Sequence, residues 1–131
     1  MNRCKIVFNI MNIIDHSSTI TLEALFKAFS HPARRAILEQ LRSGECCVCH
    51  LEALLGSRQA YVSQQLAVLR EADLISDRRE GWNVYYRVKD PRVFELIDIA
   101  YMITSSQPET LNPVKGCPCK RCNDKMEDQK C

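Results

Sequence analysis

The 131-residue chain predicts a mainly α-helical fold carrying one small β-hairpin, and three observations support this. Apolar residues recur at three- and four-residue spacing in five successive stretches between Leu22 and Ile103. Two of these stretches are separated only by a short turn that opens on Gly56. The strand-like runs "LISDRRE" and "NVYYRV" flank the turn "EGWN".

The first stretch begins after Thr21, a candidate cap, and places Leu22, Leu25, Phe26 and Phe29 on one stripe. His31-Pro32 breaks it, and Pro32 opens a second helix at the position where a missing N–H costs least. Ala33, Ala36, Ile37, Leu38 and Leu41 form its inward face, and Ser43-Gly44 ends it. "GECCVCHLEALLG", Gly44 to Gly56, reads as a third helix, with Cys46, Cys47, Cys49 and His50 at its front and Leu51, Leu54 and Leu55 as its apolar residues. After the turn at Ser57-Arg58, "QAYVSQQLAVLREADLI" places Val62, Leu66, Leu69 and Ala72 on one stripe, with Gln59, Ser63, Gln64 and Arg70 opposite. Two helices joined so briefly form a helix-turn-helix, whose second member enters the DNA major groove.

The hairpin that follows turns the pair into a winged helix-turn-helix. Arg78, Arg79 and Arg87 lie on or beside this wing, where cations pair with phosphates and add salt-dependent affinity. The candidate DNA-contacting residues are Ser57, Arg58, Gln59, Tyr61, Ser63, Gln64, Arg78, Arg79 and Arg87, with Trp82 on the wing as a further aromatic candidate. For any single arginine, the competing reading is a solvated hairpin face. "PRVFELIDIAYMITSS" is a last helix, apolar on more than one side. Such a helix buries a second face, most simply against another copy of the chain, so a homodimer is expected.

Bulk properties fit one globular domain, at 46% hydrophobic and 26% charged. The formal charge of +2 says little about partners, and only local clustering of cations points to nucleic acid. Residues 1–18 are expected to form an N-terminal extension, 19–106 a DNA-binding and dimerisation domain, and 107–131 a cysteine-rich tail broken by Pro108, Pro113 and Pro118. Arg3 and Lys5 before an apolar run imitate a secretory signal. However, Asn9 and Asn12 interrupt that run, no small-residue cleavage site follows, and it is too short for a bilayer, which favours the cytoplasm. Met11 is an alternative start, which would leave Cys4 outside the natural chain.

Eight cysteines are many for this length, and they fall into groups: Cys46, Cys47 and Cys49, then Cys117, Cys119 and Cys122, with Cys4 and Cys131 at the termini. Grouping favours an intracellular soft-metal site over a secreted disulfide scaffold.

These motifs, in this order, resemble the arsenic-repressor family, ArsR/SmtB, of small dimeric winged-helix metal sensors, over roughly Leu22 to Ile103. "FKAFSHPARRAILEQL" resembles the second-helix region of that family. "SRQAYVSQQLAVLREADLI" resembles its recognition helix, and "RREGWNVYYRV" its wing. "ECCVCHLEAL" is similar to the Glu-Leu-Cys-Val-Cys-Asp-Leu motif that supplies thiolates in arsenite and cadmium/lead sensors. Cys47 and Cys49 match its cysteines, Cys46 stands for its leucine and His50 for its aspartate. Glu52 occupies the place of the third cysteine found in some arsenite sensors. The helix from Pro91 offers Asp98 but no histidine for the zinc site of other members. Gln64 and Gln65 stand where relatives often carry a histidine.

The resemblance implies a repressor that holds double-stranded operator DNA when empty and releases it on binding a thiophilic ion: arsenite, cadmium, lead or zinc. Cys47 and Cys49, with one or two of Cys117, Cys119 and Cys122 from the same or the partner chain, complete a three- or four-sulfur set. On a regular helix, residues two apart point about 200° away from each other. The helix therefore either starts after Cys47 or loses its first turn on binding, whereas Cys46 and Cys49 would meet without distortion. Pulling on this segment would shift the recognition helix.

Two rivals are a thiol-redox or sulfide-sensing repressor and a Cys119-Lys120-Arg121-Cys122 thiol oxidoreductase. No nucleotide-binding glycine loop or catalytic triad is recognisable, so the expectation is a regulator without enzymatic activity, organic substrate or membrane partner.

Overall fold

The computed structural model describes residues 20–108. The N-terminal extension with Cys4 and Met11, and the tail cysteines Cys117, Cys119, Cys122 and Cys131, lie outside the described residues.

Helix α1 spans Leu22–Phe29 and α2 Pro32–Leu41. Thr21 caps α1, its hydroxyl accepting the Ala24 N–H at 3.1 Å. His31 caps α2, its Nδ1 accepting the Ala33 N–H at 3.2 Å, while Pro32 opens the helix as expected. A short strand β1, Cys46–Cys47, precedes α3, Val48–Leu55. Gly56, at φ +56°, ends α3 in the left-handed region that suits a residue without Cβ. Helix α4, Gln59–Glu71, leads into the hairpin of β2, Ile75–Glu80, and β3, Asn83–Val88, and α5 spans Arg92–Thr104. Gly81, at φ +60°, takes the first of the two turn positions between Glu80 and Asn83, where a II′ hairpin turn places its glycine.

The three strands form one antiparallel sheet in the order β1-β3-β2. The core gathers Ile37, Leu38 and Leu41 of α2, Leu51 of α3, Val62, Leu66 and Leu69 of α4, and Ile75 of β2. Each fully buried Leu or Ile contributes about 1.5–3 kcal/mol relative to exposure, so this cluster fixes α4 against α2 and α3. Of the inward face predicted for α2, Ala36, Ile37, Leu38 and Leu41 are buried and Ala33 is half-buried, and the stripe Val62, Leu66, Leu69 and Ala72 is buried throughout.

One expectation is corrected, and of the two alternatives weighed for the third helix the later start is the one found. Cys46 and Cys47 do not open the third helix. They pair with Tyr86 and Tyr85 of β3, and α3 begins at Val48. The helical spacing that would have set Cys46 facing Cys49 therefore does not exist. On α1, Ala28 is buried, Leu25 and Phe29 are half-buried, and Leu22 and Phe26 are 63% and 57% exposed.

Candidate DNA interface and thiol motif

Helix α4 separates its two faces cleanly. Val62, Gln65, Leu66 and Leu69 are buried, and Gln59, Tyr61, Ser63 and Gln64 are exposed beside them. Arg58, at the N-cap position, is exposed and its side chain makes no capping bond. Ser57 is half-buried, and its hydroxyl donates to the Leu55 carbonyl at 3.1 Å, closing the turn between α3 and α4. Tyr61 sets its ring 6.4 Å from that of His31, tying the start of α4 to the cap of α2. Gln59, Tyr61, Ser63 and Gln64 thus lie on one outward surface, held there by the burial of the opposite face.

On the wing, the three candidate arginines differ. Arg78 donates from Nε and Nη2 to Glu45, at 2.9 and 2.6 Å, and from Nη1 to Glu80 at 2.7 Å. Its guanidinium also lies 4.8 Å from the Tyr85 ring centroid. The Glu45 and Glu80 carboxylates push its pKa well above the ordinary arginine value. Arg87 donates from Nε to the Ser76 hydroxyl at 3.2 Å. Arg79 is exposed, and none of the ion pairs among the described residues involves it. Trp82 projects fully into solvent from the hairpin tip. Tyr86, on the same hairpin, has its phenol held above the ordinary value by burial, with Asp77 adding to it.

The thiols Cys46 and Cys47 are both buried. Adjacent strand residues point to opposite faces. Cys46 joins the hydrophobic core. Cys47 is the N-cap of α3, with extended backbone at φ −78° and ψ 158°, and its sulfur accepts the His50 N–H at 3.4 Å. Cys49 is half-buried on the first turn. Since Cys47 lies outside the helix, the 200° separation of a regular helix does not constrain the Cys47–Cys49 pair. The donor chemistry suits a soft ion. Among the described residues, no three His, Cys, Asp or Glu side chains cluster as a metal site.

Asp98 of α5 accepts from Arg42 at 2.7 and 3.1 Å, and Arg42 also holds Glu39 at 2.9 Å and lies 5.0 Å from the Phe94 ring centroid. Asp98, the α5 carboxylate considered for a zinc site, is therefore engaged with a cation. Sequence reasoning missed the buried Arg34, which donates to the carbonyls of Ala28 and Lys27 and to Gln65. It also missed the role of Glu45. No helix among the described residues is long and apolar enough to cross a membrane.

The family described as bacterial regulatory protein, arsR family, matches residues 31–77. The biofilm growth-associated repressor of Agrobacterium fabrum is 41% identical over 87 residues, 66% of this chain and 74% of that one. The arsenic resistance transcriptional regulator ArsR1 of Pseudomonas putida is 38% identical over 96 residues, 72% of this chain and 74% of that one. The solution structure of Mb0332 from Mycobacterium bovis, a homodimeric winged helix-turn-helix DNA-binding domain, superposes with TM-score 0.59 at 27% identity. That match covers 64% of this chain and 78% of the other.

Proposed function

Because this chain belongs to the arsR family of bacterial regulatory proteins and is a winged-helix transcriptional repressor rather than an enzyme, we propose that it releases operator DNA when thiols beside its recognition unit bind a thiophilic ion. Residues 19–106 act as the DNA-binding and dimerisation domain, flanked by the extension 1–18 and the tail 107–131. Gln59, Tyr61, Ser63 and Gln64 read the major groove. Ser57, Arg58, Arg79 and Arg87 meet the backbone, and Arg78 supports the wing.

One observation carries the sensing part of this reading. Cys47 is simultaneously a strand residue of the wing sheet and the N-cap of the first helix in the helix-turn-helix pair. A bond formed at that sulfur pulls on both DNA-contacting elements. Cys47 and Cys49 are the proposed near ligands, and Cys117, Cys119 and Cys122 of the same or the partner chain complete the set for arsenite, cadmium, lead or zinc. Cys46 stays in the core. The cytoplasm, where thiols are kept reduced, suits such a sensor.

The homodimer uses α1 and α5. Leu22, Phe26, Ile99, Met102 and Ile103 are the large apolar residues these helices leave exposed. The two helices are neighbours across a cavity of about 360 Å³ lined by Phe29, Ile97, Ala100 and Tyr101.

The test is an operator-release titration with arsenite, Cd2+, Pb2+ and Zn2+ on the wild type, Cys47→Ser, Cys49→Ser and a chain truncated before Cys117. Release by at least one ion, lost in the serine variants, is the expected result. Release by an oxidant or sulfide with none by ions would replace the ion reading by a thiol-redox one, and an unchanged ion response in all three variants would remove the site.

A further inference from the structure

The register of the sheet sets Cys47 of β1 opposite Tyr85 of β3, and Tyr85 opposite Arg78 of β2. Directly paired residues share a face of the sheet, so these three side chains form one cross-strand row running from the thiol to the wing. Two contacts weld the row. The Arg78 guanidinium stacks over the Tyr85 ring at 4.8 Å, and Tyr85 is only 4% exposed, so the ring is fixed in place. Glu45, two residues before Cys47 and so on the same side of the chain, returns across the sheet to grip Arg78 through Nε and Nη2.

From this we infer that Glu45 and Arg78 form a latch that transmits events at Cys47 to the wing, with Arg78 serving as a positioning residue whose main partner is protein rather than phosphate. The inference rests on the thiol-ligation reading and adds a second route to it. Displacement of β1 by ligation at Cys47 moves Glu45 with it, and Glu45 drags Arg78, at the centre of β2, through a two-point ion pair. A single-point contact would let the strands slide. The bidentate grip makes the wing follow. Glu45 lies on the approach to β1 and not on the outward face of α4 or the wing tip, so its replacement leaves operator recognition itself in place.

The experiment uses the full chain, Cd2+ as probe and three readouts: thiolate-to-cadmium absorption for loading, operator affinity with and without Cd2+, and emission of Trp82, the single tryptophan of the chain, in the absence of DNA. Wild type is expected to load Cd2+, to lose operator affinity about a hundredfold, within the usual range of allosteric coupling, and to change its Trp82 emission. Glu45→Gln is expected to load Cd2+ and to bind operator without Cd2+ as wild type does. Its Cd2+-dependent loss of operator affinity is expected to fall below tenfold and its Trp82 emission to stay unchanged. Glu45→Asp, which keeps the charge, is expected to recover part of both signals. If Glu45→Gln releases operator by the same factor as wild type, the latch is wrong and thiol sensing stands. If Cd2+ gives wild type no thiolate absorption, or loads and leaves the operator held, sensing of Cd2+ through these thiols fails and the latch goes with it.

Discussion

Arg34 Nη1 donates to Gln65 Oε1 at 2.9 Å, a bond between α2 and the hidden face of the recognition helix, with both residues under 10% exposed. The same guanidinium donates through Nε to the Ala28 carbonyl at 3.0 Å and through Nη2 to that of Lys27 at 2.8 Å, closing the end of α1. One buried cation thus fixes the angle between the proposed dimer helix α1 and the recognition helix. Arg34→Met removes a donor from three buried or half-buried acceptors, and a loss of about 3–5 kcal/mol is expected. Gln65→Leu deprives Arg34 of one acceptor of three and is expected to cost about 1–3 kcal/mol. Urea denaturation at fixed protein concentration measures both, and a smaller effect for Arg34→Met than for Gln65→Leu would refute this account of the bond set.

Met102 at 71% and Ile103 at 78% are among the apolar residues left exposed on α5, and they bear on the proposed homodimer. A two-fold interface uses each residue twice, and burying a Met or Ile side chain is worth about 1.5–3 kcal/mol. Replacing both by Glu is expected to raise the dimer dissociation constant at least about a hundredfold and to weaken operator binding, while the fold of each protomer persists. Sedimentation equilibrium and far-UV circular dichroism separate these effects. An unchanged dimer would place the interface elsewhere.

These two sets of residues show what the sequence discloses and what it does not. The α2 and α4 stripes are legible because long helices repeat their apolar spacing several times. Arg34 lies on the same stripe as Ile37, Leu38 and Leu41, and Gln65 beside Leu66 and Val62, so spacing marks both as inward-facing although their chemistry suggests surface. The strand β1 is different. Two residues carry no alternation, and its partners Tyr85 and Tyr86 are remote in sequence, so the pairing is set by tertiary contact alone. For the same reason Glu45 reads locally as one more solvated acid, and only the folded sheet brings it to Arg78.

Asp90 provides the pH dependence. Its carboxylate accepts the Arg92 N–H at 2.9 Å and the Arg92 guanidinium at 2.6 Å, starting α5, and these hydrogen bonds hold its pKa below the ordinary carboxylate value. A carboxylate with a depressed folded-state pKa contributes stability that is complete above its unfolded pKa, near 4, and is lost as pH falls through the folded value. The site is exposed, so the contribution is under about 1 kcal/mol. Asp90→Asn is expected to lower stability slightly at neutral pH and to flatten the decline as pH falls below about 4. Equal acid sensitivity of the variant and wild type, by thermal melts across that range, would exclude Asp90 as a source.

Arg79 and Gln64 are expected to fail in different ways when replaced, because one is proposed to meet phosphate and the other a base edge. Arg79 is exposed on β2 and takes part in none of the ion pairs among the described residues, so it is available to displace counterions from DNA. Arg79→Ala is expected to weaken specific and non-specific binding alike and to reduce the slope of log affinity against log salt by about 0.9 for each docked wing. Gln64, exposed on α4 beside the buried Gln65, is expected to contribute about 1–3 kcal/mol of discrimination at one base pair. Gln64→Ala should therefore lose affinity for the operator, keep its affinity for unrelated DNA and leave the salt slope unchanged. Fluorescence anisotropy titrations at several salt concentrations, on operator and scrambled duplexes, give all four quantities. If Gln64→Ala changes the slope and Arg79→Ala does not, the two residues have exchanged the roles proposed here, and the docking of α4 in the groove must be turned accordingly.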